Sequence, residues 1–249
     1  RYAQLANVQT KSFQIDGTTV TVQHNPERMV STSAAINSQS IDSRPCFLCP
    51  MNRPEQQIGL ALSKRFELLV NPFPIVDRHF TIPLRTHSRQ EIKPYLCDMM
   101  ELAGLLTDMI IFYNGPLCGA SAPDHMHFQA IPKAAFTPAF ITRHYEVREP
   151  SVDQMYRHLC DIYDTLPVPD GQTEPMMNIL AWQEGGELVC HIVPRRKHRP
   201  ACYTAEDNFR MLISPGALDM AGLIIVPRKE DFDRITADDI SNILHEVGA

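Results

Sequence analysis

The sequence predicts an α+β protein made of two fused, diverged units, each an antiparallel sheet with helices packed on it. A hairpin signal near the start, a long amphipathic pattern and several short strand patterns predict this class. Strands that end in Pro followed by a basic residue recur in both halves, which favours two copies of one unit. We place the boundary at Glu149-Pro150, so the units are residues 1–150 and 151–249.

The elements of the first half follow from turn signals and periodicity. Phe13-Gln-Ile-Asp-Gly-Thr-Thr-Val predicts a hairpin that turns at Asp16-Gly17, because Asp-Gly adopts the positive φ angles of tight hairpin turns. Phe66–Pro74 and Phe80–Leu84 are predicted strands joined by a Pro-rich connection. From Glu91 to Tyr113, apolar residues at helical spacing predict a core-facing amphipathic helix.

In the next part of the chain, strand patterns dominate. His125-Met-His-Phe-Gln-Ala-Ile-Pro alternates like a strand, and Glu187–Arg195 and Leu223–Arg228 are further predicted strands. The last helix is predicted to begin after Ile235, with Thr236 or Asp238 as its N-cap.

Composition limits the class of protein. The chain has 249 residues, of which 44% are apolar, and this is enough for one large domain or two small ones. A net charge of -6 argues against nonspecific binding to nucleic acid or to a membrane surface. The longest apolar run is far shorter than the roughly 20 residues that a bilayer requires. Seven cysteines, an odd number, indicate a reducing compartment, and we expect a cytoplasmic protein.

The pattern His-x-His-x-Gln is the main candidate site. On a strand, residues two apart point to the same side, so His125, His127 and Gln129 are expected on one face, where three polar groups indicate a site rather than a core. The small-residue loop before them includes Gly119 and Ser121 and is suited to bringing backbone N–H groups to an anion. Such a histidine pair either chelates a metal, or one histidine attacks phosphorus while the other holds the structure. Two ordinary hydrogen-bonded histidines are the third alternative.

Cys46-Phe-Leu-Cys49 is a second candidate site. It is half of a zinc site, a redox pair or two buried free thiols. A redox pair needs a helix N-terminus to lower the pKa of a thiol, and no helix is predicted to start here. Structural zinc needs four ligands, and His87 and His125 are the available candidates for the other two.

From Asn114 to Gln129, the chain resembles the active-site strand of the histidine-triad superfamily, in its nucleotidyltransferase and phosphorylase branch. This branch comprises galactose-1-phosphate uridylyltransferases, dinucleoside-tetraphosphate phosphorylases and GDP-hexose phosphorylases. The hydrolase branch has a third histidine where this sequence has Gln129. Val70-Asn-Pro-Phe-Pro and Arg78–Arg85 resemble the strand that contacts the nucleoside and the strand after it. The stretch Ser214–Asp233 resembles GDP-hexose phosphorylases most.

The resemblance implies a histidine-triad-like fold and a mechanism through a covalent nucleotidyl-histidine. His127 would attack the α-phosphorus of a nucleoside diphosphate hexose, with GDP-hexose as the favoured donor and phosphate or a sugar 1-phosphate as acceptor. Gln129 would donate a hydrogen bond to a phosphate oxygen, Asn114 and Ser121 would position phosphates, and Asn71 would contact the ribose. The unit 1–150 would then be catalytic, with an N-terminal extension, and the unit 151–249 degenerate.

The resemblance also bears on metal binding. In the uridylyltransferases that contain zinc, the corresponding positions are Cys46, Cys49, His87 and His125, and the zinc would be structural. GDP-hexose phosphorylases do not require this metal, so the two best resemblances disagree. The second metal site of the uridylyltransferases is expected to be missing here, because Val189 and His191 stand where those enzymes have two histidines.

Alternatives to the favoured function remain open. One is a dinucleoside-polyphosphate phosphorylase or a hexose-1-phosphate uridylyltransferase, and another is a catalytically silent protein that binds nucleotide or zinc. The basic run Arg195–Arg199 is either a solvated loop or a clamp, led by Arg195, on the substrate's phosphates, because guanidinium groups bind oxyanions in bidentate fashion. The expected partners are a nucleoside diphosphate sugar with phosphate or a sugar phosphate, and a homodimer is left open.

Overall fold

The computed structural model describes residues 1–206 and 209–249. The strands in these ranges are β1 (Gln9–Ile15), β2 (Thr18–His24), β3 (Leu60–Ala61), β4 (Glu67–Val70), β5 (Phe80–Pro83), β6 (Met109–Asn114), β7 (His127–Pro132), β8 (Tyr145–Glu149), β9 (Met177–Glu184), β10 (Glu187–Pro194) and β11 (Leu223–Val226). The α-helices are α1 (Met29–Thr32), α2 (Ser38–Asp42), α3 (Leu96–Leu105), α4 (Val152–Thr165), α5 (Ala201–Thr204), α6 (Ala217–Met220), α7 (Lys229–Arg234) and α8 (Ala237–Val247). None of the helices in these ranges has both the length and the apolar character that crossing a membrane requires.

The strands form two sheets, and the predicted α+β class is confirmed. The larger sheet has the order β3–β4–β5–β7–β6–β9–β10–β8 with antiparallel pairs throughout. In the smaller sheet, β2 lies between antiparallel β1 and parallel β11. Strands from both halves of the chain meet where β6 pairs with β9, so one sheet runs through both. The boundary at residue 150 stays a prediction, and β8, which precedes it, pairs with β10, which follows it.

Each face of the larger sheet carries its own apolar core. Helices α3 and α4 pack on one face, where Phe128 of β7 is buried. On the other face, Ile131 of β7 belongs to a second core shared with the smaller sheet and the helices α6, α7 and α8. Of these helices, α6 contacts β6 and β9, whereas α7 and α8 pack on the smaller sheet. Because side chains alternate along a strand, His127 and Gln129 lie on the same side as Ile131. The candidate site therefore lies on this second face of the larger sheet.

The predicted hairpin and the predicted last helix are both present. Asp16 and Gly17 have φ angles of 50° and 78°, as the tight turn between β1 and β2 requires. Thr236, rather than Asp238, caps α8: its hydroxyl accepts from the Asp239 N–H at 3.1 Å, and the Asp239 carboxylate accepts from the Thr236 N–H at 2.9 Å. This reciprocal pair satisfies two backbone donors at the helix start.

The helix predicted from Glu91 to Tyr113 is wrong in its second half. The α-helix ends at Leu105, and Met109–Asn114 forms strand β6 instead. All six residues of β6 are buried, because the strand lies between β7 and β9 with a core on each face. A short continuous run of apolar residues fits helical spacing and a central strand equally well, so periodicity alone does not distinguish them.

Candidate active site and metal cluster

Predicted site residues meet in one cavity of about 440 Å³ on the larger sheet. Its lining includes His127, Gln129, Gly119, Ser121 and Asn71. A smaller cavity of about 40 Å³ adjoins it, shares Gly119 and Gln129, and is lined by Asn114. The fold thus brings together the loop after β6, the start of β7 and the end of β4.

The ring of His127 has a defined orientation. Its Nδ1 lies 2.8 Å from the carbonyl oxygen of His125, and since a carbonyl only accepts, Nδ1 carries the proton. The lone pair is therefore on Nε2. Burial lowers the pKa of His127 to about 4, so the ring is neutral. Gln90 fixes the backbone by accepting from the His127 N–H at 2.8 Å and donating to the His127 carbonyl at 3.0 Å.

The loop before β7 is held against the second half of the chain. Gly119 has a φ of 98°, and a Cβ on it would lie 2.7 Å from Cα of Gly216, so the position requires glycine twice over. Asn114 Oδ1 accepts from the Ala217 N–H at 2.7 Å and from Asn178 Nδ2 at 2.9 Å. Asn114 and Gly119 are therefore held against the start of α6.

Two predicted substrate contacts have other partners in the structure. Arg195 is 5% exposed, and it donates to Asn178 Oδ1 at 2.7 Å, to the Pro215 carbonyl at 2.9 Å and to further backbone carbonyls. It is not among the residues that line the cavity. The amide of Asn71 bonds to Thr81 and Gln129. Contact of Arg195 with phosphate and of Asn71 with ribose stay predictions, and the geometry favours supporting roles for both.

Arg28 is a site residue that sequence reasoning missed. It lines both cavities, and its Nη1 donates to the Phe73 carbonyl at 2.7 Å. Its Nε is buried without a hydrogen-bond partner, and in residues 1–206 and 209–249 it forms no ion pair. Burial lowers the pKa of Arg28 to about 10. Arg28 is partly buried, and its charge interacts with the carboxylate of Asp219, which lines the smaller cavity with it. A guanidinium in this position is suited to an anionic ligand. No motif in residues 1–45 marks it, since its position arises from packing against the distant Phe73.

The four predicted metal ligands converge on one point. Cys46, Cys49, His87 and His125 present ligand atoms that all lie within 4.8 Å of one another. Cys46 Sγ lies 3.2 Å from His125 Nδ1, and Cys49 Sγ lies 3.3 Å from His87 Nδ1 and 3.6 Å from His125 Nδ1. The structure therefore contains a Cys/His cluster that can hold a metal ion.

The donor set fits zinc. Tetrahedral zinc bonds to sulfur and nitrogen put the ligand atoms about 3.4–3.8 Å apart, close to the spacing of this cluster. The Nε2–H of His125 donates to the Leu84 carbonyl at 2.7 Å, which leaves Nδ1 as the ligand atom. His127 is not part of the cluster, so the geometry does not favour one metal bound by both histidines. Cys49 leads into a three-residue 3₁₀ turn rather than an α-helix, which disfavours the redox alternative.

His191 belongs to a smaller group in the second half. With His144 and Glu146 it forms a set of three possible ligands, while Val189 is buried in the core. At the two positions where uridylyltransferases have histidines, this chain therefore has one possible metal ligand, His191, and one apolar side chain, Val189.

Solved structures with the same fold include three of one enzyme. The crystal structure of yeast Ap4A phosphorylase Apa2 matches with a TM-score of 0.65 and 17% identity over 97% of this chain and 87% of that chain. Its complex with Ap4A matches with a TM-score of 0.63 and 16% identity, over 99% of this chain and 93% of that chain. Its complex with AMP matches with a TM-score of 0.62 and 17% identity, over 99% of this chain and 92% of that chain. The chain therefore has the fold expected from its resemblance to the histidine-triad superfamily.

A family model matches the N-terminal part of the chain. Residues 1–132 match the family model described as domain of unknown function DUF4922. This match covers more than half of the 249 residues, and the chain belongs to that family. Comparison with curated proteins gives no significant match.

Proposed function

We propose that the protein is a nucleotidyl phosphorylase that cleaves a dinucleoside polyphosphate through a covalent nucleotidyl-histidine on His127. The observation that carries this proposal is the arrangement in the cavity: a neutral imidazole with its lone pair on Nε2, beside Gln129 and the guanidinium of Arg28, whose Nε has no hydrogen-bond partner. A neutral histidine is a competent nucleophile, and the other two side chains supply donors for phosphate oxygens.

The reaction consists of two displacements. His127 Nε2 attacks the phosphorus that bears one nucleoside, a P–N bond forms, and the P–O bond to the bridging oxygen breaks, so that a nucleoside polyphosphate leaves. Inorganic phosphate then attacks the same phosphorus, the P–N bond breaks, and a nucleoside diphosphate is released with His127 neutral again. Arg28 and Gln129 donate to the non-bridging oxygens while charge develops on them.

The fold likeness to yeast Ap4A phosphorylase supports a dinucleoside polyphosphate as the substrate class. GDP-hexose, the favoured donor from the sequence, rests on the resemblance of Ser214–Asp233. Most of that segment up to Val226 is buried in α6, β11 and their connections, so its pattern mainly reflects packing. We therefore rank the nucleoside diphosphate hexose second. The apolar side chains of Phe47, Leu48 and Phe73 in the cavity offer a surface for either base.

We also propose that the Cys/His cluster binds a structural zinc ion. His125 belongs to the cluster and lies two residues before His127, whose Nδ1 proton it accepts through its carbonyl. Zinc would hold the four ligands and so fix the backbone that orients His127. A cytoplasmic location and a homodimer remain predictions.

Intact-protein mass spectrometry tests the proposed reaction. The protein is incubated without phosphate with Ap4A or with a GDP-hexose. We expect the mass of AMP to be added with Ap4A, and phosphate to release it as ADP. His127→Ala should abolish the adduct, whereas His158→Ala, which replaces an exposed histidine on α4, should leave it unchanged.

Other outcomes would redirect the assignment. A GMP adduct from the GDP-hexose but none from Ap4A would restore the donor favoured by the sequence. Binding of ADP without an adduct from either donor would refute nucleotidyl transfer and support a catalytically silent nucleotide-binding protein.

A further inference from the structure

We propose that His79 is a positioning residue that fixes the side-chain amide of Gln129 so that its NH₂ group, and not its carbonyl, faces the cavity. This inference rests on the proposed function, in which Gln129 donates to a phosphate oxygen. His79 has no role assigned from the sequence, yet its side chain is fully buried beside the cavity. The orientation follows from two backbone N–H groups whose direction of donation is unambiguous.

The first backbone N–H sets the tautomer of His79. The Ile75 N–H donates to His79 Nδ1 at 3.1 Å, so Nδ1 is the unprotonated acceptor. The proton of the neutral ring is therefore on Nε2. His79 Nε2 lies 2.9 Å from Gln129 Oε1, and its N–H donates to that atom.

The second backbone N–H sets the orientation of Asn71. The Phe73 N–H donates to Asn71 Oδ1 at 2.8 Å, which makes the other branch of this amide the donor. Asn71 Nδ2 then donates to Thr81 Oγ1 at 2.9 Å and to Gln129 Oε1 at 3.2 Å. Asn71 thus supplies a second donor to the atom that His79 contacts.

Two donors converge on one atom of Gln129, and only the amide oxygen can accept both. Its NH₂ is therefore on the other branch, and Gln129 lines both cavities. The two N–H groups that determine this arrangement belong to Phe73 and Ile75, on the connection between β4 and β5. The orientation of Gln129 is thus built into that connection.

The surroundings of His79 keep it a single-proton donor. Burial, with the positive charge of Arg28 as the second cause, lowers the pKa of His79 to about 3. Its ring lies 6.0 Å from that of Phe112, and its carbonyl accepts from the hydroxyl of Tyr2 at 2.7 Å. The ring is therefore neutral and held in place at physiological pH.

The orientation matters because of the charge on the substrate. An outward NH₂ donates to a phosphate oxygen, whereas an outward carbonyl would repel it. Removing one fixed donor to a developing oxyanion slows a reaction by about 10²–10³-fold. Loss of His79 leaves the donor present and its amide held only by the longer bond from Asn71, so we expect a smaller effect, about 10- to 100-fold.

A double-mutant cycle tests whether His79 acts through Gln129. The rate of AMP-adduct formation from Ap4A is measured in single turnover for wild type, His79→Phe, Gln129→Ala and the double variant. We expect His79→Phe to slow the wild type about 10- to 100-fold and to have no further effect when Gln129 is absent. His79→Gln, which keeps a terminal N–H donor, should recover most of the rate and also serves if His79→Phe does not fold. His24→Phe, at another buried histidine, is the control and should react like wild type.

Nuclear magnetic resonance of ¹⁵N-histidine-labelled protein gives a readout independent of activity. We expect His79 to show a protonated Nε2 and an unprotonated Nδ1. Equal slowing by His79→Phe in both backgrounds, or a protonated Nδ1, would overturn the inference while leaving an observed adduct intact. If wild type forms no adduct, the proposed function fails. The tautomer seen by nuclear magnetic resonance then tests the inference about His79 by itself.

Discussion

Glu174 makes the stability of the fold depend on pH. It lies on the connection between α4 and β9, is 3% exposed, and accepts from the Ile92 N–H at 2.7 Å and from the Tyr113 hydroxyl at 2.6 Å. In residues 1–206 and 209–249, it forms no ion pair. Burial raises the pKa of Glu174 from 4.5 to about 7, more than its two hydrogen bonds lower it.

The direction of the effect follows from proton binding. The folded protein holds this proton more tightly than the unfolded chain, so the free energy of unfolding falls as the pH rises from about 4.5 to about 7 and is constant above that. The difference between the two pKa values corresponds to about 3 kcal/mol. Glu174→Gln stays neutral at every pH. Relative to wild type, the free energy of unfolding of the variant should therefore rise by up to about 3 kcal/mol as the pH is raised from about 5 to about 8.

Urea unfolding at the two pH values measures this difference, provided that the transition is two-state. Glu187→Gln replaces an exposed carboxylate at the start of β10 and is the control, for which we expect the same difference from wild type at both pH values. A constant difference between Glu174→Gln and wild type would refute the reasoning, because it would mean that Glu174 is ionised in the folded protein throughout this range.

Three further predictions concern other sites. Gly119→Ala should lower the free energy of unfolding by about 2 kcal/mol and slow adduct formation, because it combines a positive φ with a backbone clash. Gly171 also has a positive φ but has open space around it. As the control, Gly171→Ala should lower the free energy of unfolding by about 1 kcal/mol without affecting the adduct. Asp231→Asn should cost about 2 kcal/mol in urea unfolding, since its buried carboxylate accepts from Arg228 and from a backbone N–H; a loss near zero would contradict this. Cys49→Ser should reduce zinc, measured by elemental analysis, well below one ion per chain; zinc retained in full would exclude the cluster as its site.

The parts of the fold with local signals were predictable from the sequence. The Asp16-Gly17 turn, the cap at Thr236 and the alternation through β7 each depend on residues within a few positions of one another. The helix that was extended to Tyr113 failed because burial on both faces of β6 is a tertiary property. Apolar residues in a central strand need no alternation, so their run can match a helical pattern.

The candidate site was predictable only where one motif carried it. The four residues of the Cys/His cluster follow from the resemblance and converge in the structure. Arg28 and His79 could not be found in this way, because the roles proposed for them depend on contacts with Phe73 and Ile75 that chain folding creates. Arg195 has a charge suited to phosphate, but its donors are used by backbone carbonyls and Asn178.

The pairing of β2 with β11 has a consequence for the order of folding. In this pair, Thr21 lies opposite Leu223, so the smaller sheet joins residues near both ends of the described chain. Contacts of such high sequence separation pay a large loop-closure entropy and form late and slowly. Arg28 ends the 3₁₀ turn that follows β2, and Gly216 lies shortly before β11. During synthesis the hairpin is therefore made long before its third strand, and the chain can complete its larger sheet before the smaller cavity, whose lining includes Gly216 and Ile225, is closed.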